Sequence, residues 1–146
     1  MTGRVRDLAL FNLAIDSKLR SCDLISLRVK DVANGSMVSS RAMIIQKKTK
    51  MPVQFEITNQ TRIAVEFWIK KANLNFYDYL FKSRLRDSPH ISKRQYSRIV
   101  KSWVSQIGLD PTFYGTHSLR RTKATLIYRR TKNLRAAQLL LRHKES

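Results

Sequence analysis

The segment SKRQYSRIVKSWVSQIG, residues 92–108, restricts the fold more than any other stretch of the chain. Tyr96, Ile99, Val100, Trp103, Val104 and Ile107 recur at helical spacing and predict one continuous apolar face. Ser92 and Gln95 have the spacing of a capping box, and Gly108 stands where a helix stops. The opposite face carries Lys93, Arg94, Arg98 and Lys101. A helix so divided must bury one side in a core and offer the other to water or to a polyanion.

The remaining segments supply that core. Residues 5–16, VRDLALFNLAID, are apolar nearly all round and predict a core helix; CDLISLRV predicts a short second one. Between 36 and 57, two runs rich in β-branched residues flank a Lys-rich turn, which predicts a β-hairpin with its tip near 48–51. Pro52 suits a strand start. Residues 59–73 predict a helix with Ile63, Ala64, Phe67 and Trp68 on one face, and YLFKS a short strand. After the turn-rich LDPTFYG, helices are expected over 117–131 and 134–142. The whole reads as mostly α, in the α+β class, with one small antiparallel sheet.

Charge indicates the partner. Lys and Arg number 29 against 10 Asp and Glu, a net charge of +19, in a chain that is 42% hydrophobic. That combination excludes a disordered basic tail and points to a folded domain that meets nucleic acid. The basic residues are spread rather than gathered beside an apolar anchor, so a membrane surface fits less well. The lone Cys22 rules out an intrachain disulfide, and no signal peptide or spanning apolar run is visible. A cytoplasmic, nucleoid-associated protein of one domain over 1–146 is expected.

GTHSLRRTKATLIYRR, residues 115–130, carries the chemistry-bearing pair His117 and Arg120. On an α-helical wheel with Leu119 at zero, Arg120 falls near ~100° and His117 near ~160°. Both then share an arc with Ala124 and Ile127. An Arg among apolar neighbours needs an acid or a ligand. It could pair with an acid from elsewhere, such as Asp23, or hold a phosphate with His117 beside it. Arg121 and Lys123 suit a DNA-facing or solvated surface, and Tyr128 reads as a core aromatic.

Four segments taken in order add to this: LRSCDLISL at 19–27, QKKTK on the hairpin, THSLRRTKAT, and the closing LLLRH. Together they resemble the catalytic domain of tyrosine recombinases, the phage integrase family, over nearly the whole chain. The resemblance implies the helical fold of DNA breaking–rejoining enzymes. It implies that Arg20 and Arg120 clamp the scissile phosphate of duplex DNA, with His117 donating to it or trading protons. It implies that Lys48 protonates the leaving oxygen, with Lys47 and Lys50 as rivals on the same turn. Asp23 would orient its neighbours, and His143 would match the His or Trp of the last motif. Lys47, Lys50, Lys93, Arg94, Arg98, Arg121 and Lys123 become candidate DNA contacts. Further recombinase protomers on the DNA are implied partners, and neither metal nor other cofactor is needed, because the ester energy is kept in a phosphotyrosine.

The sequence departs from the family at three places. Lys18 and Arg142 stand where Gly is usual, and the chain has three residues after His143, where the nucleophilic Tyr should follow. The expectation is a catalytic domain incomplete at its C-terminus, without the family's N-terminal DNA-binding domain, that binds DNA but does not cleave it alone. The alternative is a non-catalytic basic nucleic-acid-binding protein.

Overall fold

The computed structural model describes residues 2–84, 88–120 and 129–130, with side chains from residue 5. In chain order come α1 (Thr2–Ser17), α2 (Ser21–Ile25), α3 (Val29–Val32), β1 (Ala33–Asn34), β2 (Met37–Val38), β3 (Arg41–Ile45), β4 (Pro52–Glu56), α4 (Asn59–Lys71), α5 (Lys93–Gln106) and a 3-10 turn at Thr116–Arg120. The mostly helical α+β reading holds. None of the described helices is long and apolar enough to cross a membrane.

Helix α1 is the centre of the core. Leu10, Phe11 and Leu13 are fully buried, and the Phe11 ring stacks on Trp103 of α5 with centroids 4.9 Å apart. Such an aromatic pair adds about 0.5–1.5 kcal/mol to the burial of its area. The expected stripe of α5 lies inward, with Tyr96, Ile99, Val100, Trp103 and Val104 buried. Burial pushes the Tyr96 phenol well above its usual range. The Ser92 hydroxyl accepts from the Gln95 amide at 3.0 Å, which is the Ser92 half of the expected capping box. Gly108 ends the helix at φ +83°, a conformation that glycine reaches without strain.

The hairpin forms as read. Strands β3 and β4 pair antiparallel in a register that sets Arg41 opposite Glu56 and Ile45 opposite Pro52. Pro52 opens its strand, where its missing N–H is tolerated. Phe55 and Ala42 face the core, while Met43 and Ile45 are exposed on the outer face.

Four readings are corrected. The described residues hold two two-stranded sheets, because β1 and β2 pair around Gly35. Two-residue strands are too short to leave a period in the sequence. In α4 the buried stripe is Thr61, Ala64, Val65 and Trp68, while Ile63 and Phe67 are each 48% exposed. The helix is thus rotated from the predicted face, and Trp68 donates its ring N–H to the Leu80 carbonyl at 2.7 Å. YLFKS is not a strand but makes isolated bridges, Tyr79 with Arg28 and Lys82 with His90. CDLISLRV divides into α2 and, after a break at 26–28, the start of α3; the Arg28 amide there donates to Asp31 at 2.8 Å.

One core residue has no match. Asn12 of α1 is 1% exposed, and neither its amide nitrogen nor its oxygen has a hydrogen-bond partner among the described residues.

Candidate phosphate-binding site

Hydrogen bonds link three segments that are far apart in sequence. The first is the connection from α1 to α2. Lys18 follows the last residue of α1, donates its amide to Ala14 at 3.0 Å and adopts φ +54°. Leu19 is buried and anchors the connection. Arg20 is then the N-cap residue of α2 in extended conformation, and its carbonyl accepts from the amides of Asp23 and Leu24. Its side chain is half-buried.

The second segment is the hairpin turn. Asp23 is only 2% exposed, and one carboxylate oxygen accepts from the main-chain amide of Lys47 at 2.9 Å. A carboxylate–amide bond of this kind is stronger than a neutral one and holds the base of the turn against α2. The other oxygen of Asp23 has no hydrogen-bond partner among the described residues. Lys47, Lys48 and Lys50 are all exposed on the turn, and Lys50 takes φ +61° as the chain reverses.

The third segment is the 3-10 turn at Thr116–Arg120, where an α-helix was expected from 117. The turn is framed by Gly115 and Ser118, whose amide and hydroxyl bond at 3.1 Å. Just before it, Asp110 accepts from the amide and hydroxyl of Thr112, and that amide first, then the hydroxyl, holds the Asp110 carboxyl below its ordinary value. Leu119 is fully buried and packs the turn into the core. In a 3-10 helix residues three apart eclipse, so His117 and Arg120 emerge on one side. Both are exposed. The other members of the apolar arc expected around Arg120, Ala124 and Ile127, lie outside the described residues.

The buried pair between Arg120 and Asp23 does not form. Arg120 instead donates its Nε–H to the Lys18 carbonyl at 2.9 Å, across 102 residues of sequence. The two bonds, Arg120 to Lys18 and Asp23 to Lys47, tie the Arg20 connection, the lysine turn and the His117–Arg120 turn to one another. Sequence reasoning missed the part played by Lys18, because a main-chain acceptor has no residue signature.

Lys93, Arg94, Arg98 and Lys101 are exposed on the outer face of α5, as expected. Arg121, Lys123, Tyr128 and His143 lie outside the described residues, and so does the expectation about a tyrosine after His143. A separate cleft of about 400 Å³ opens at the other end of the hairpin, between Arg41, Glu56, Thr58 and Arg62. Its two arginines are engaged within the protein, Arg41 by Glu56 at 3.1 Å and Arg62 by the Ile57 carbonyl at 2.6 Å.

The chain is 34% identical over 138 residues to a probable integrase/recombinase, YoeC, of Bacillus subtilis, covering 94% of this chain and 71% of that protein. It is 28% identical over 138 residues to a tyrosine recombinase of Pseudothermotoga lettingae, covering 46% of it. Over 142 residues it is 26% identical to tyrosine recombinase XerC of Psychromonas ingrahamii, covering 45% of it. It thus spans less than half the length of those last two relatives. The family model described as the phage integrase family matches residues 1–146, and the chain belongs to that family.

Proposed function

We propose that this chain supplies the phosphate-holding part of a site-specific DNA recombinase, acting on duplex DNA alongside further protomers. The observation that carries the reading is the pair of bonds tying Arg20's connection, the lysine turn and the His117–Arg120 turn around one region. Arg20 and Arg120 would take the non-bridging oxygens of one phosphate and neutralise the charge that grows on it in a five-coordinate transition state. His117, emerging beside Arg120, would donate to the same group. Lys48, or its neighbours Lys47 and Lys50, would reach the leaving oxygen from the turn that Asp23 holds. His143 keeps the role that the family motif gives it. The outer face of α5 and Arg121 and Lys123 would meet the DNA backbone, fixing register without reading bases.

The charge of +19 would serve a non-catalytic binder equally well. Family membership and the tied arrangement favour the recombinase reading.

Titration with orthovanadate, a phosphate mimic, tests the site by the side-chain NMR signals of the arginines. The signals of Arg20 and Arg120 should shift together along one binding curve, and Arg20→Ala should abolish the response of Arg120. Two independent curves would show that no single anion bridges them.

A further inference from the structure

Lys18, like Lys50 of the lysine turn, has a costly backbone. Its φ of +54° lies in the left-handed region, which a residue with a Cβ enters against steric resistance. The conformation ends α1: the Lys18 amide still bonds to Ala14, and the next amide, of Leu19, is taken by the Ser17 hydroxyl at 3.2 Å. Had Lys18 stayed right-handed, its carbonyl would have continued along the helix axis. Turned as it is, the carbonyl meets the Arg120 Nε–H at 2.9 Å. The Lys18 side chain is exposed.

We propose that Lys18 is a positioning residue, whose left-handed main chain sets the Arg120 guanidinium relative to Arg20. Two consequences of the same φ support it. The turn fixes the direction in which the chain leaves toward Arg20, two residues on, and it fixes the acceptor that holds Arg120. One backbone conformation thereby sets the spacing of both arginines. With Nε held by Lys18, Arg120 presents the edge formed by its two terminal nitrogens, the edge that can bridge two oxygens of a phosphate. The role belongs to the main chain, so glycine should fill it and a β-branched residue should not. The proposal rests on the reading that Arg20 and Arg120 share one phosphate.

The test is a double-mutant cycle on orthovanadate affinity with Lys18→Gly, Lys18→Val and Arg120→Lys, the last removing the Nε donor. Lys18→Gly should keep affinity within about twofold, whereas Lys18→Val should lose about tenfold. In the Arg120→Lys background the step from Lys18 to Val should change affinity by less than about twofold. An equal loss in both backgrounds would overturn the proposal, since the change would then act on the fold alone. A Lys18→Gly loss as large as that of Lys18→Val would also overturn it, assigning the effect to the ammonium group.

Solvent exchange of the Arg120 Nε–H gives a readout without any anion. It should be slower than that of the exposed Arg98 in the unmodified protein and equal to it in Lys18→Val. Exchange as fast as that of Arg98 in the unmodified protein would overturn the proposal even if Lys18→Val fails to fold. Protection of Arg120 with no vanadate binding would leave the positioning intact and remove the shared-phosphate reading.

Discussion

Asp23 shows how a buried acid can shape a surface turn through that turn's main chain. Its carboxylate oxygen holds the Lys47 amide, so the lysine turn is fixed by its main chain while the ammonium groups stay free to reach outward. A hydrogen bond to a charged group contributes about 1.5–3 kcal/mol. Asp23→Ala should therefore speed hydrogen exchange at the Lys47 amide by about 10–100-fold, as measured by NMR. An unchanged rate would mean that the turn is held by something else. This residue also marks a limit of sequence reading. The motif L-R-x-x-D placed Asp23 near the site, but the partner of its side chain is a backbone group, and any residue at 47 except proline could supply that.

Among the elements, α5 was the most legible and behaves as two faces of one rod. Its inner stripe carries stability. Trp103→Ala should cost about 3–5 kcal/mol and Ser92→Ala about 1 kcal/mol in urea unfolding. Arg98→Ala on the outer face should stay within about 0.5 kcal/mol and yet weaken DNA binding. The hairpin was equally plain, because β-branched runs around a polar turn have few other solutions. The orientation of α4 was hidden because Ile63 and Phe67 are apolar and nonetheless exposed, so hydrophobicity alone named the wrong face. The 116–120 turn was misread for a different reason. Its residues are compatible with an α-helix, and the burial of Leu119 and the Gly115–Ser118 bond go with the tighter turn. Motif order pairs Arg20 with Arg120 as an expectation, whereas the bond from Arg120 to the Lys18 carbonyl leaves no signal in the sequence.

At the scale of the whole molecule, a net charge of +19 repels itself. Added salt should raise the thermal midpoint by screening that repulsion, and it should weaken DNA binding at the same time. If about 6–10 phosphates are neutralised, affinity should fall by about 10³–10⁵ between about 50 and 200 mM salt. A shallow slope in a salt titration would show that few of these cations meet the backbone. The opposite responses separate the two uses of charge, since one partner supplies what the free protein lacks. The interior has its own imbalance. Asn12, buried in α1, has no hydrogen-bond partner for either end of its amide among the described residues. Asn12 is not among the residues proposed to meet phosphate or DNA, so an apolar residue of like size should raise stability in urea unfolding. The molecule thus holds a margin for hardening that its chemistry does not claim, and an engineer seeking a sturdier scaffold would begin there.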